Sequence, residues 1–380
     1  MRYLDTMTNK PPDVYLMTSP PGAKTQLDGH NYDYFCGTGY FGLQGHPQVI
    51  EAACEATRQY GLGSATSRMS FGNTPVVVDV EQKAAEFFEA EQAMYYASGY
   101  MGVSVLLQGL SPSYDMLFVD EKSHFSSMDA AVMSRKPVVR FAHCQADDLQ
   151  MKLKAELQPG QRPMVVSDGI FPTSGVMPPL DAYDKVLAPI EGANLCVDDA
   201  HAVGVVGNKG KGTLEHFDIE GVGRYSCGTF SKALGGFGGI IAGPSAFINA
   251  LKTQTKMYIG ASSVPTPAAA ATAAAIDILR AHPEMRTRLV ANTAYAKNAF
   301  REMGFQSIPD TPVPIICLSG PSVDWSRLQE HLFTQGLATL YVPDGAYSGV
   351  PEGGALRLSI FSTHTVDQID RLLYEVKRFV

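Results

Sequence analysis

The sequence lacks the features that would place the chain in a membrane or on nucleic acid. Its 380 residues contain no apolar run long enough to span a bilayer. The net charge is −8 and there is no basic tract, which argues against nucleic acid or an anionic membrane surface as a partner. The first residues also lack the charged-then-apolar pattern of a signal peptide. We therefore expect a cytoplasmic protein without a membrane span.

Disulfide and metal-binding patterns are missing as well. The six cysteines are scattered and form no CxxC pair, which predicts reduced thiols and neither disulfides nor a zinc site. What is present is an ordinary globular composition, with 45% hydrophobic and 18% charged residues. A chain of this length can form a large domain plus a smaller one.

Two short apolar runs in the middle of the chain each end in a polar cluster. The first ends in a carboxylate and an imidazole, and the second in a hydroxyl and a lysine. Because polar residues that directly follow apolar runs lie at the carboxyl edge of a parallel sheet, we expect a ligand crevice there. The segments are Asn194–Val197 with Asp198 and His201, and Arg224–Cys227 with Thr229 and Lys232.

The lysine and the carboxylate suggest a particular cofactor. A lysine beside hydroxyls and glycines at a strand end is a candidate for Schiff-base chemistry, since partial burial lowers the pKa of an amine enough to leave it neutral. Asp198 could pair with a pyridinium nitrogen, which together with Lys232 implies pyridoxal 5′-phosphate (PLP). On these residues alone, a surface lysine in a loop and a helix-capping Asp198 remain an open alternative.

The segments VDDAHAVGVVG and GTFSKALGG, which contain these residues, resemble the α-oxoamine synthases, a family of fold-type I PLP enzymes. The resemblance extends from about Asp28 to Val380, with several motifs in the family order and spacing. It implies a three-layer α/β large domain with a mostly parallel sheet, followed by a small α+β C-terminal domain. The predicted boundaries are an N-terminal segment over residues 1–45, a PLP-binding large domain over 46–280 and the small domain over 281–380.

The resemblance also assigns cofactor contacts. It implies that Lys232 carries the Schiff base, that Asp198 keeps the ring nitrogen protonated and that His124 stacks on the ring. His201 would hydrogen-bond the phenolic oxygen of the cofactor or the incoming carbonyl. A glycine turn entering a helix suits the phosphate. The further cofactor residues are Gly99, Tyr100, Met101 and Thr229, with Ser262 or Ser263 reaching the phosphate site of a partner subunit.

Around the substrate the chain matches the family at one position and departs from it at two. Arg357 matches the arginine that binds the substrate carboxylate, and its fork suits a bidentate grip; an interdomain salt bridge is the alternative. Thr38 replaces a substrate-facing asparagine, and Pro172 replaces a serine near the cofactor. Both departures indicate an unusual substrate or a modified reaction.

The expected function is that of a homodimeric transferase with active sites shared between subunits. It would condense a small-molecule amino acid with an acyl thioester, either acyl-CoA or acyl-ACP, with decarboxylation to an α-amino ketone. Two alternatives stay open. One is another PLP reaction on the same fold, such as transamination, racemisation or aldol-type C–C cleavage. The other is a non-catalytic partner subunit, against which the intact Lys232 counts.

Residue patterns predict the remaining elements. Residues 1–27 show no periodicity and are predicted to be disordered or an arm lying over a neighbour. Strands are predicted at 31–36, 93–97, 117–119, 164–167, 313–318, 339–342 and 356–360. Helices are predicted at 46–60, 81–88, 103–109, 268–280, 283–303, 325–335 and 365–379.

Overall fold

A computed structural model describes residues 15–380 of the chain. The strands are β1 (Lys24–Leu27), β2 (His30–Tyr34), β3 (Gln92–Tyr96), β4 (Met116–Asp120), β5 (Val138–Phe141), β6 (Pro163–Asp168), β7 (Asn194–Asp198), β8 (Arg224–Thr229), β9 (Gly239–Gly243), β10 (Ile315–Leu318), β11 (Leu337–Ala338), β12 (Leu340–Val342) and β13 (Ala355–Ser359).

The helices are α1 (Pro47–Tyr60), α2 (Pro75–Phe88), α3 (Gly102–Gly109), α4 (Phe125–Met133), α5 (Ala146–Glu156), α6 (Leu180–Leu187), α7 (Thr213–His216), α8 (Ser245–Gln254), α9 (Lys256–Gly260), α10 (Thr266–Ala281), α11 (Glu284–Glu302), α12 (Trp325–Thr334) and α13 (Val366–Phe379). Within residues 15–380, none of these helices is both long and apolar enough to cross a membrane.

A seven-stranded sheet forms the centre of the large domain, in the order β3-β9-β8-β7-β6-β4-β5. Only β9 runs antiparallel to its neighbours, so the sheet is mostly parallel, as predicted. Successive residues of β6 alternate between two cores: Met164 and Val166 pack with α3, α4 and α8, whereas Val165 packs with α5 and α6. Burial on both faces explains why the central strands are continuously apolar. Helices on both faces confirm the three-layer arrangement.

The parallel register brings the carboxyl ends of several strands to one edge. β3, β4, β6, β7 and β8 all end there, because β9 is antiparallel to both β3 and β8. The residues that follow these strands therefore face a common crevice, as the sequence predicted for β7 and β8.

The small domain combines the C-terminal part of the chain with two strands from near its N-terminus. β13 pairs antiparallel with β10 and β12, and α11, α12 and α13 pack around this sheet. A second sheet joins β1 and β2 to β11. The prediction of an arm or disorder is therefore wrong for Lys24–Leu27, whose alternating burial packs Leu27 against the small domain. Residues 1–14 of that predicted arm lie outside the described residues.

Most predicted elements are confirmed to within a few residues. The largest difference is in α2, which begins at Pro75 rather than at Glu81. Proline fits the first turn of a helix because its φ is already helical and its missing N–H has no partner there. The strands β5 and β9 and the helices α4, α5, α7, α8 and α9 were not predicted from the sequence.

Candidate active site

A cavity of about 580 Å³ lies where the strand ends of the large domain meet β12 and β13 of the small domain. Its walls include most of the residues that the sequence singles out, together with the two departures from the family pattern. These are Thr38, Gly99, Tyr100, His124, Pro172, Asp198, His201, Thr229, Lys232 and Arg357. Residues more than 300 positions apart in the chain thus meet around one crevice.

The other three predicted residues lie around a separate cavity of about 30 Å³. The Met101 N–H donates to the Ser98 carbonyl at 3.0 Å. Ser262 is exposed, whereas the Ser263 hydroxyl oxygen is buried and has no partner within residues 15–380. Of the two serines, Ser262 is thus the one accessible to another molecule. The phosphate roles of these residues remain predictions.

Lys232 follows β8 and is half-buried in the cavity wall. Burial lowers its pKa to about 8, although the nearby carboxylates of Asp198 and Asp168 oppose this shift. Within the described part of the chain its amine forms no hydrogen bond or ion pair. An amine with this pKa is a nucleophile and a base near neutral pH.

Asp198 and Asp199 are consecutive in sequence but have different surroundings. Asp198 is buried at the end of β7, accepts the Ala200 N–H at 3.0 Å and lines the cavity. Burial raises its pKa, while the Lys232 charge acts in the opposite direction. Asp199 turns away and binds the Thr213 N–H at 3.0 Å and the Thr213 hydroxyl at 2.6 Å. Of these two carboxylates, only Asp198 lines the cavity and can meet a cationic ring there.

A second buried carboxylate, Asp168, was not assigned a role from the sequence. It ends β6 in register with Asp198, lines the same cavity and accepts the His124 N–H at 3.1 and 3.2 Å. Burial and the charge of Asp198 raise its pKa well above the ordinary value. The sequence feature that could have identified Asp168 is its position at the end of an apolar strand, the same feature that marks Asp198.

His124 precedes α4 and is held from two sides. Its Nδ1 accepts the Ser126 N–H at 3.2 Å and lies 2.6 Å from the Ser126 hydroxyl. Its Nε2 lies 2.5 Å from the hydroxyl of Tyr347, which belongs to the small domain. Burial lowers the pKa of the imidazole. Tyr347 also lines the cavity and was missed from the sequence, since nothing local connects it with His124.

His201 faces the cavity from the turn after β7. Its Nδ1 lies 3.2 Å from the hydroxyl of Tyr40. Burial, together with the charges of Lys232 and Arg357, lowers the pKa of His201 well below its ordinary value. His201 is therefore a neutral imidazole that can donate or accept one hydrogen bond at each nitrogen.

The turn into α3 is shaped by glycine. A Cβ on Gly99 would lie 2.5 Å from the Thr229 Cβ and 2.6 Å from its Oγ1, so only glycine allows the two segments to approach. The Tyr100 N–H meets the Ser98 hydroxyl at 3.3 Å, and the Thr229 hydroxyl donates to the Gly238 carbonyl at 2.7 Å. The turn that leads into α3 thus lines the cavity beside Thr229, and a turn entering a helix suits a phosphate.

Arg357 is buried on β13, and neutral oxygens hold its guanidinium. Nε donates to the Pro172 carbonyl at 2.7 Å, and Nη1 donates to the Ser359 hydroxyl at 3.0 Å and the Gly37 carbonyl at 3.4 Å. Within residues 15–380 it has no carboxylate partner, so the alternative of an interdomain salt bridge is not observed. A buried guanidinium without a counter-ion is an anion site.

Two further polar segments, at His143 and in the glycine-rich loop before α7, are engaged by hydrogen bonds within the chain. The Nδ1–H of His143 donates to Asp120 at 3.0 Å, which fixes the turn after β4. The glycine-rich loop before α7 directs the amides of Lys209 and Lys211 at the carboxylate of Glu215, both at 2.9 Å. Those amides are therefore engaged by the chain itself.

Comparison with known proteins agrees with this geometry. Residues 37–376 match the family model described as aminotransferase class I and II. An 8-amino-7-oxononanoate synthase of Symbiobacterium thermophilum is 33% identical over 360 residues, which cover 94% of this chain and 90% of the relative. The synthase of Geobacter sulfurreducens is 32% identical over 365 residues, covering 94% and 91%. A structure of serine palmitoyltransferase from S. paucimobilis, with a bound PLP–myriocin aldimine, superposes with a TM-score of 0.87 at 27% identity, covering 96% and 92%.

Fold and site together define a fold-type I transferase of aminotransferase class I and II. Within that class the chain belongs to the α-oxoamine synthases, the family of PLP enzymes that contains both kinds of relative.

Proposed function

We propose that the chain is a PLP-dependent acyltransferase that condenses an amino acid with an acyl thioester, with decarboxylation, to give an α-amino ketone. The observation that carries the proposal is the pairing, in one cavity, of a lysine with a pKa of about 8 and a buried arginine without a counter-ion. The relatives named above are α-oxoamine synthases, which supports the same reaction class.

The residues present fit PLP. The start of α3, relieved of side-chain bulk by Gly99, offers a phosphate site. Asp198 offers a buried carboxylate for the ring nitrogen, and Lys232 an amine for the aldehyde. His124 and Thr229 would flank the ring, and His201 would hydrogen-bond its phenolic oxygen. When bound, PLP supplies an electron sink for negative charge at the α-carbon of the amino acid.

The side chains of the cavity then have distinct tasks. Arg357 holds the α-carboxylate of the amino acid, which orients the Cα–H bond. As a free amine, Lys232 Nζ takes the proton from Cα, a transfer favoured by a pKa near the working pH. Asp198 holds a proton on the ring nitrogen by charge pairing. His201 donates a hydrogen bond to the oxygen on which charge develops.

The lining also restricts the amino acid. Lys232 and Arg357 are the cations of the described lining, and Asp168 and Asp198 are its carboxylates. Lys232 and Asp198 would be paired with the cofactor, and Arg357 with the substrate carboxylate. Asp168 accepts the His124 N–H. A charged substrate side chain would therefore lose its water without gaining a partner of opposite charge. We therefore expect a neutral amino acid, packed against the wall that contains Ile170 and Leu340.

Another PLP reaction on the same fold is the second candidate. Thr38 and Pro172 both line the cavity, and Pro172 supplies only its carbonyl, which Arg357 occupies. Polar contacts expected of a standard family member are therefore replaced, which keeps transamination, racemisation and aldol-type cleavage in consideration. A non-catalytic partner subunit is disfavoured because Lys232 is present in the cavity.

A cytoplasmic homodimer completes the proposal. Leu62 and Phe71 are 74% and 89% exposed, and the segment between them pairs with the exposed Ser262 through a bridge at Ser67. Apolar side chains of this kind beside Ser262 suit a subunit interface. Ser262 would then reach the phosphate site of the neighbouring subunit.

The test is product analysis with holoenzyme. Neutral amino acids are offered with and without a panel of acyl-CoAs and an acyl-ACP, while free thiol and carbon dioxide are measured. We expect both products only when the two substrates are present together. Conversion of PLP to its amine form by an amino acid alone, without thiol release, would establish the aminotransferase alternative instead.

A further inference from the structure

The connection between β12 and β13, residues 343–354, brings part of the small domain to the edge of the cavity. The glycines at 345, 349, 353 and 354 have φ between 69° and 82°, a region in which glycine is favoured. Hydrogen bonds connect this segment to the large domain. The Thr173 hydroxyl donates to the Ser348 carbonyl at 2.9 Å, and Tyr347 meets His124.

The hydrogen bonds of His124 determine where its proton lies. A backbone N–H can only donate, so Nδ1, which receives the Ser126 N–H, must be unprotonated. Burial lowers the pKa of the ring, which keeps the imidazole neutral. The single ring proton therefore lies on Nε2, and Nε2–H donates to the hydroxyl oxygen of Tyr347 at 2.5 Å.

This assignment fixes the direction of the Tyr347 hydroxyl. Because its oxygen accepts from His124, its own proton is left for a third atom. Within residues 15–380 no hydrogen-bond acceptor meets that proton. A tyrosine phenol is protonated near neutral pH, and partial burial raises the pKa of Tyr347 further. Tyr347 is 37% exposed and lines the cavity together with Lys232 and Arg357, so its proton faces the water or the substrate that fills this space.

The phenol ring is also held in place. It packs on His124 with ring centroids 5.5 Å apart and on Phe125 with centroids 5.3 Å apart. A donor held by a hydrogen bond and two ring contacts loses little entropy when it binds an acceptor. Accepting from His124 also strengthens the hydroxyl as a donor.

We infer that Tyr347 is a further substrate-binding residue, whose hydroxyl, oriented by Nε2–H of His124, donates a hydrogen bond to an oxygen of the substrate. The inference rests on the proposed function for the identity of that substrate. The acceptor is either the α-carboxylate of the amino acid or the carbonyl of the acyl thioester. Both acceptors are oxygen atoms, and measurements of amino-acid affinity and of thioester kinetics distinguish between them.

The test compares holoenzyme of the wild type, Tyr347→Phe and Tyr341→Phe. Tyr341 is the matched control, since it lies on the same small-domain wall and its hydroxyl forms no hydrogen bond within the described residues. Amino-acid dissociation constants are measured from the visible absorbance of bound PLP, without thioester. Steady-state KM and kcat are then measured for the thioester.

If Tyr347 binds the carboxylate, Tyr347→Phe weakens amino-acid affinity by about tenfold or more, as expected for a hydrogen bond to a charged group. If it binds the acyl carbonyl, amino-acid affinity is retained and kcat/KM for the thioester falls by about threefold to tenfold. Amino-acid affinity and thioester kinetics that both match those of Tyr341→Phe overturn the inference.

Nuclear magnetic resonance of ¹⁵N-histidine-labelled holoenzyme supplies a readout that is independent of activity. The wild type should show a slowly exchanging Nε2–H of His124, assigned with His124→Gln, and Tyr347→Phe should lose this protection. A protonated Nδ1 in the wild type would overturn the inference even if the variant failed to fold. Failure of every thioester to react would refute the proposed function but leave the amino-acid arm and this measurement intact.

Discussion

Lys232 and Lys297 are two lysines whose pKa burial lowers, and they lie in different domains with different partners. The pKa of Lys232 is about 8 and that of Lys297 about 7. Lys297, on α11, donates to the Pro309 carbonyl at 3.2 Å and to the Thr311 carbonyl and hydroxyl at 2.8 and 3.0 Å. Lys232 has no such acceptors in the described chain and faces a cavity. A lowered pKa therefore does not identify a reactive lysine; an amine left available beside an open space does.

The largest effect that would test this contrast is on Lys232 itself. Lys232→Ala should lower turnover by at least about 10³-fold, because both the nucleophile and the base are lost. Mass spectrometry after borohydride reduction should find PLP attached at Lys232 in the wild type and absent from the variant. Lys297→Met is the control and should retain the label. Reduction of PLP onto Lys297 or any other lysine of the wild type would contradict the assignment.

The next test separates the two adjacent carboxylates. Asp198→Asn should lower turnover by about 10²- to 10³-fold, since a neutral amide cannot pair with a protonated ring nitrogen and loss of one partner of a buried pair costs about 3–5 kcal/mol. Borohydride labelling at Lys232 should survive. Asp199→Asn, whose oxygens contact Thr213, should lower the melting temperature and leave turnover nearly unchanged. Equal turnover in both variants would show that Asp198 does not pair with the ring nitrogen.

Arg357 tests the small-domain side of the cavity. Arg357→Leu should weaken amino-acid binding by tens- to several-hundred-fold, about 2–4 kcal/mol, because a charged contact to the carboxylate is lost. PLP affinity, measured by equilibrium dialysis, should change much less. Arg357→Lys keeps the charge without the planar fork and should be intermediate. If amino-acid affinity is unchanged, the role of Arg357 is to join the domains through Pro172 and Gly37.

A smaller effect sharpens the assignment of the reactive amine. The rate at which apo-protein captures PLP depends on the neutral fraction of Lys232, which rises with pH until the pKa is passed. With a pKa of about 8, the rate should increase about tenfold per pH unit below pH 7 and level off above about pH 8.5. Stopped-flow absorbance measures it directly. A rate that still climbs between pH 9 and 10 would indicate a lysine with an ordinary pKa.

The smallest expected effect concerns the stability contributed by Lys297. Its folded-state pKa lies below the unfolded value, so the unfolded chain binds more protons between about pH 7 and 10.5, and stability rises with pH in that window. Methionine cannot titrate. The melting temperature of the wild type, relative to that of Lys297→Met, should therefore rise by a few degrees between pH 7 and pH 10. Calorimetry at three pH values checks this. A constant difference would mean that Lys297 has an unperturbed pKa.

The sequence allowed the large-domain half of the site to be predicted more fully than the small-domain half. Lys232, Asp198 and His201 are close together in sequence or follow consecutive strands, so strand-end placement and family motifs both indicate them. Tyr347 and His124 are 223 positions apart. No local pattern marks that pair, because it depends on how the connection between β12 and β13 folds back over the cavity.

Errors in the fold prediction have a similar origin. The segment of β1, KTQL, has too few residues to show a period, and its strand geometry comes from pairing with β2 and packing of Leu27. β5 lies at the edge of the sheet, and only Phe141 of its four residues is fully buried. Its sequence, VVRF, therefore shows no clear alternation of apolar and polar residues. Lys297 reads as a surface residue of α11, and its burial becomes evident only when residues 309–311 fold over it.

The pairing of β2 with β11 determines when the sheet that contains the β1–β2 hairpin can be completed during synthesis. Asp33 is aligned with Leu337. One edge of β2 therefore stays unpaired until β11, roughly 300 residues later in the chain, has been synthesised. At translation rates of about 5–20 residues per second this delay is on the order of 15–60 s. Throughout it the hairpin presents an unpaired strand edge to other nascent chains. The exposed Lys24 and His30 and the shortness of both strands limit how readily that edge can recruit a wrong partner.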